Sequence, residues 1–124
     1  MPVAVCSTSS EQAVGNLVRV LMGDERHAKI PIFAGDCVAN KKPAPDVYNL
    51  AAAEELGIAD AAKVDCVVVE DSTIGLAAAK AAGMQCIVTK SSYAAREDFA
   101  KADRVVDDLE AGAVGLEAIR ALAP

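Results

Sequence analysis

Apolar residues in this chain fall into short runs separated by polar or turn-forming stretches, and their period changes from run to run. Val3–Cys6 is apolar and stops at Ser7-Thr8-Ser9-Ser10, which predicts a buried strand running into a loop. From Glu11 to Met22, Ala13, Val14, Leu17, Val18 and Leu21 recur at three- and four-residue intervals. That spacing predicts a helix, with Ser10 as N-cap and Glu11 in its first turn. Ile32–Ala34 predicts a second short strand, closed by Gly35-Asp36. Lys41-Lys42-Pro43-Ala44-Pro45-Asp46 is a stiff loop, because the first proline restricts Lys42 and the second suits a helix start. The helix it opens extends to Leu56, where Gly57 stops it.

Asp65–Val69 is the clearest strand, with valine at 67, 68 and 69 and no polar alternation. Such a run is expected of a parallel strand buried on both faces. Thr73–Ala82 predicts a helix of small residues ended by Gly83, and Gln85–Thr89 the next strand. Ala94–Ala100 predicts a short helix, Arg104–Val106 a last strand and Val114–Leu122 a closing helix. Strands and helices that alternate with short connections indicate an α/β fold: a parallel sheet with helices on both faces.

Length and composition narrow the class without naming a function. The 124 residues suit one domain, 1–124, of ordinary globular composition. Twenty-six of them are alanine and only four are aromatic, so the core has little large apolar material. Net charge is −6, the wrong sign for neutralising a phosphate backbone, and no Lys/Arg stripe gathers the minority charge. A nucleic-acid partner is excluded on those grounds. The four cysteines show no C-x-x-C spacing and suit a reducing compartment, three of them reading as small hydrophobes in or at the ends of apolar runs, and the lone His27 has no ligand-spaced companion. No apolar run approaches the ~18 residues of a membrane span, and no signal or transit segment is expected.

In an open α/β sheet, ligands bind beyond the carboxyl ends of the strands, so the residues following each strand carry the candidate chemistry. Here these are Ser7-Thr8-Ser9, Gly35-Asp36 with the Lys42 loop, Glu70-Asp71-Ser72 and Thr89-Lys90-Ser91. Hydroxyls, backbone N–H groups and lysine suit a phosphate, and paired carboxylates suit a hard divalent cation. Each piece has a plainer reading. Ser7 could cap a helix, Lys42 could be a solvated loop lysine, and Asp46 reads better as a helix-start acid than as a ligand. The Glu70-Asp71 pair is harder to explain without a cation, because adjacent like charges repel.

The order of these pieces resembles a known family. Val-Cys-Ser-Thr-Ser, Ile-Phe-Ala-Gly-Asp, Lys-Lys-Pro-Ala-Pro-Asp-Val-Tyr and Val-Val-Val-Glu-Asp-Ser-Thr-Ile-Gly-Leu are similar to the second, third and fourth motifs of the haloacid dehalogenase-like hydrolases. The likeness runs from Val3 to about Ser92 and is to the CbbY-type branch, particularly plant and algal sugar-phosphate phosphatases. It implies a three-layer, Rossmann-like core. It also implies that Ser7 and the Thr8 amide hold the transferring phosphoryl group and that Ser9 and Ser10 face the far end of the substrate. Lys42, the one catalytic residue assigned here, would neutralise that group and orient the nucleophile. Glu70 and Asp71 would hold Mg²⁺. The implied substrate is a small phosphorylated sugar such as xylulose 1,5-bisphosphate, and the implied compartment is the cytoplasm, or the chloroplast stroma in a photosynthetic eukaryote. Relatives commonly carry Asn where Ser10 stands.

The family's first motif, Asp-x-Asp-Gly-Thr, occurs nowhere in the 124 residues, and neither does the helical cap that follows it. Its first aspartate is the family's nucleophile and its second the general acid/base. The fold is therefore expected to be incomplete, lacking the central strand between those ending at Cys6 and Val69. Those strands would then either close on each other or pair with another segment, because bare edges leave N–H and C=O groups unmatched. The chain reads as the C-terminal part of a longer phosphatase, inactive alone and complemented by an N-terminal segment. The alternatives are a fragment of a β-phosphoglucomutase-like isomerase and a non-catalytic assembly subunit derived from the fold.

Overall fold

The computed structural model describes residues 1–57, 65–92, 96–109 and 115–122. Strand β1 (Val5–Cys6) is followed by helix α1 (Glu11–Met22), whose N-terminus is capped twice. Ser10 Oγ accepts from the Ala13 N–H, and the Asp36 carboxylate accepts from the Glu11 N–H at 3.0 and 3.1 Å. After a single helical turn, α2 (Asp24–His27), comes β2 (Ile32–Phe33), parallel to β1 with Val5 opposite Ile32 and Cys6 opposite Phe33. Helix α3 (Asp46–Leu56) then ends at Gly57, whose φ of 57° is the left-handed cap conformation glycine adopts without steric penalty.

The second half is more regular. Strand β3 (Val67–Glu70), helix α4 (Thr73–Ala81) and strand β4 (Gln85–Thr89) form one parallel unit, and β5 (Arg104–Val106) adds to the far side of β4. Helix α5 (Leu116–Arg120) lies beyond it in the chain. The order is therefore two separate parallel sheets, β1-β2 and β3-β4-β5. Among the described residues β1 and β3 share no ladder, so the two strands flanking the expected gap have not closed on each other.

One apolar cluster lies beneath both sheets. Phe33 of β2, Val47, Tyr48 and Ala51 of α3, Leu76 and Ala79 of α4, and Cys86 and Val88 of β4 all belong to it. Helix α3 thus spans from one sheet to the other. The second face of the two-stranded sheet is covered by α1: Ile32 lines a groove with Gly15 and Arg19, while its neighbour Phe33 points the other way into the main cluster. This is the incomplete three-layer α/β arrangement expected from the sequence.

Three details differ from the sequence expectation. Val69 is expected to be buried on both faces, but it is 43% exposed, because β3 is an edge strand among the described residues and Val69 faces an open cleft. Residues 96–100 of the expected Ala94–Ala100 helix form turns instead, with Asp98 accepting from the Ala100 N–H and Phe99 as the one buried anchor. Residues 94 and 95 lie outside the described residues, as does residue 114 of the expected Val114–Leu122 helix, which is observed over Leu116–Arg120. Among the described residues, no helix is long and apolar enough to cross a membrane.

Candidate active site

All five strands are parallel within their sheets, so their C-terminal ends carry the following loops to one edge. There a cleft of about 740 Å³ opens between the sheets, lined by Ser7, Thr8, Lys42, Glu70, Asp71 and Thr89 among others. Five of the six residues singled out from the sequence therefore share one cavity. Ser9 does not line it. Its N–H donates to Ser7 Oγ and its carbonyl accepts from Gly35, so its observed contacts shape the loop after β1. Lys90 turns aside to pair with Asp107 at 3.3 Å.

Close backbone approach fixes the loop after β1. A Cβ placed on Gly35 would lie 2.3 Å from the Thr8 carbonyl oxygen, so only glycine lets β2 end against that loop. The loop before α3 is held by Asp46, whose Oδ2 accepts from the Asn40 N–H at 3.2 Å and from Asn40 Nδ2 at 3.0 Å. Asp46 is thus a helix-start acid, and its carboxylate pins the turn that carries Lys41, Lys42 and the cis Lys42–Pro43 peptide.

Lys42 is the bridge between the sheets. Its Nζ donates to the Cys6 carbonyl at the end of β1, at 3.1 Å, and to Glu70 Oε1 at the end of β3. The two side chains are only 7% and 10% exposed, so this ion pair is shielded from water. Tyr48 donates to the same Glu70 oxygen, and its ring centroid lies 4.6 Å from Lys42 Nζ. Burial, and after it the facing Glu70 carboxylate, push the Tyr48 phenol far above its ordinary range, so it remains a donor. Burial likewise raises the Cys6 thiol to about 11 despite the neighbouring Lys42 ammonium, which leaves it protonated and inert at neutral pH.

Glycine also explains the residue four positions after Asp71. A Cβ on Gly75 would lie 2.0 Å from the Glu70 carboxyl, so that side chain rests directly on the first turn of α4. The same turn is closed by Ser72 Oγ, which accepts from the Gly75 N–H at 3.1 Å, and by Glu97, which accepts from the Thr73 N–H at 2.7 Å. Sequence reasoning gave no role at the site to Tyr48 or Gly75, and named Gly35 and the cleft-lining Lys41 only as parts of the loops after β2. A hydroxyl-bearing aromatic one turn beyond a Lys-Pro loop, and a glycine three residues after a serine cap, were the available signals.

The carboxylates of Glu70 and Asp71 are hard oxygen donors at the cleft, the kind of set that suits Mg²⁺. Among the described residues no further His, Cys, Asp or Glu joins them as a cluster of three, so water, phosphate oxygens or another segment would complete the shell.

The haloacid dehalogenase-like hydrolase family model matches residues 1–89. A CBBY-like protein of Arabidopsis thaliana is 67% identical over 105 residues, which cover 85% of this chain and 32% of that protein. The structure of CbbY from Rhodobacter sphaeroides in complex with phosphate superposes with a TM-score of 0.81 at 39% identity, covering 97% of this chain and 52% of that one. A mutant of CbbY from the same organism, in complex with xylulose 1,5-bisphosphate, superposes with a TM-score of 0.73 at 41% identity, covering 86% of this chain and 46% of that one. The chain thus spans from about a third to about half the length of the proteins it resembles.

Proposed function

The chain belongs to the haloacid dehalogenase-like hydrolases, and from that premise we propose that it forms the phosphate- and cation-binding part of a phosphatase acting on a small sugar phosphate. The observation that carries this reading is the gathering of Ser7, Thr8, Lys42, Glu70 and Asp71 on one cleft at the C-terminal strand ends. Relatives captured with phosphate and with xylulose 1,5-bisphosphate support that bisphosphate as the substrate.

In this reading Ser7 Oγ and the Thr8 N–H hold phosphoryl oxygens. Lys42, fixed between Cys6 and Glu70, presents its ammonium to the same group and offsets its charge. Glu70 and Asp71 hold Mg²⁺, which when bound neutralises phosphoryl charge. The family's first-motif aspartates are absent from these 124 residues, so an aspartyl-phosphate cannot form on the chain's own side chains. The chain alone therefore binds without turning over. The open seam between β1 and β3 receives an N-terminal strand that carries those aspartates.

Binding is testable without that segment. Inorganic phosphate titrated into the full chain with Mg²⁺, followed by ³¹P line broadening, should show saturable binding. Lys42→Gln and Ser7→Ala should each weaken it about tenfold. Ser7→Ala leaves the buried ion pair intact, so it reports on the site even if Lys42→Gln unfolds. Phosphate binding unaffected by Ser7→Ala in a folded chain would refute the assignment.

A further inference from the structure

Tyr48 is 5% exposed and packs in the main apolar cluster beside Val47, Leu76 and Val88. A core position of that kind is served as well by phenylalanine, because an added hydroxyl must be stripped of water and matched with a partner. Here the hydroxyl is matched, and its partner is the one carboxylate that also holds Lys42. The ring face meanwhile supports the Lys42 ammonium at 4.6 Å, a cation–π contact. A single buried side chain therefore touches both members of the Lys42–Glu70 ion pair.

The two oxygens of Glu70 are consequently unequal. Oε1 accepts from both Lys42 and Tyr48. Among the described residues, Oε2 accepts only a long hydrogen bond, from the Ser72 hydroxyl at 3.5 Å, and rests against the first turn of α4 at Gly75. A carboxylate facing a lysine alone is free to rotate and share both oxygens with it, and a cation would then compete with the ammonium for each. With the Tyr48 O–H on Oε1, that rotation breaks a buried hydrogen bond.

We propose that Tyr48 is a positioning residue of this site: its hydroxyl holds Glu70 so that Oε2 stays open to a hard divalent cation, while its ring steadies Lys42. The proposal rests on the reading of Glu70 as a cation ligand. It separates two functions within one side chain, the hydroxyl serving the cation and the ring serving the lysine.

The test is a calorimetric titration of Mg²⁺ into the full chain as wild type, Tyr48→Phe and Glu70→Gln, with inorganic phosphate affinity measured on the same samples. Tyr48→Phe keeps the ring and removes the hydroxyl. It should weaken Mg²⁺ about tenfold, as loss of a partner behind a metal ligand does, and leave phosphate affinity within about twofold. Glu70→Gln should weaken Mg²⁺ by at least as much. A drop in both affinities together with the melting temperature in Tyr48→Phe marks a packing role and overturns the proposal. Unchanged Mg²⁺ affinity in Tyr48→Phe, with Glu70→Gln impaired, overturns the Tyr48 role and leaves the cation site standing. Wild type and Glu70→Gln that respond alike to Mg²⁺ overturn the cation reading, and the Tyr48 role falls with it.

Discussion

The two sheets share one sequence pattern, a short apolar strand ending in a polar loop, yet they are built to very different depths. In the three-stranded sheet Cys86, Ile87 and Val88 of β4 are fully buried, with α4 packed against them and β3 and β5 paired on either side. In the two-stranded sheet β1 and β2 are two residues long, and both residues of β1 are only half-buried. The difference follows from neighbours: among the described residues β4 has a strand on each side, whereas β1 has one. The contrast teaches where the candidate site gets its order. Its groups come from both sheets, and they are joined across the gap by the side chains of Lys42, Tyr48 and Glu70 and by α3, not by backbone pairing.

Core truncation should expose this asymmetry most strongly. Ile87→Ala should cost about 2–5 kcal/mol in denaturant unfolding, whereas Val5→Ala, half-buried at an open edge, should cost about 1 kcal/mol or less. Equal costs would mean that the two sheets are stabilised alike.

The two close-approach glycines, Gly35 and Gly75, differ in what an added side chain would meet. An added methyl at Gly35 meets the Thr8 backbone, which cannot rotate away, while one at Gly75 meets the carboxyl end of the Glu70 side chain, which can shift only by disturbing its bonds to Lys42 and Tyr48. Gly35→Ala should therefore cost about 1–3 kcal/mol of stability. Gly75→Ala should cost less stability but displace Glu70, detectable as weakened Mg²⁺ binding. The reverse ranking in thermal melts would show that the Glu70 carboxyl is as rigid as backbone.

Acid should act mainly on the three-stranded side. Although partial burial raises the Asp103 carboxyl, its bonds to Lys80 and the Cys86 N–H prevail and hold it below its ordinary value of 3.8. A carboxyl depressed in the folded state adds stability above its unfolded pKa, and that stability is lost as pH falls through the folded value. Asp103→Asn should thus lower stability at pH 6 and flatten its decline below about pH 4, measured as melting temperature against pH. An unaltered acid limb would assign the decline to other carboxyls.

The smallest effect is chemical. Burial pushes the Cys6 thiol up to about 11 and the Cys86 thiol up to about 12, while Cys37 is exposed. Iodoacetamide at pH 8 should label Cys37 well before the other two in a mass-spectrometric time course, and Cys86 last. Early labelling of Cys86 would show that β4 opens readily.

Much of this was legible in the chain because the local signals agree with the fold. Ser10 and Gly57 mark helix ends where the structure has them, and Val67–Glu70 and Gln85–Thr89 carry strand composition that burial rewards. The site's loops were legible because a parallel sheet must deliver them to one edge. Burial of Val69 and the Ala94–Ala100 helix were misjudged for physical reasons. Val69 lies on a strand that is a sheet edge among the described residues and faces the cleft, and the stretch after residue 95 has one large apolar anchor, Phe99, and a turn-forming Asp98. Tyr48 was not picked out because its role depends on meeting Glu70, 22 positions away, and no periodicity reports such a contact.

In the proposed function the seam between β1 and β3 is a half-site awaiting a strand. Its most direct test mixes the full chain with an N-terminal piece from a relative chosen to carry Asp-x-Asp-Gly-Thr, and measures phosphate release from xylulose 1,5-bisphosphate with Mg²⁺. Turnover that needs both pieces and is lost with Ser7→Ala is the predicted result. Binding of the two pieces without any turnover would show that the groups on this cleft are not held in register for phosphoryl transfer, and would contradict the account.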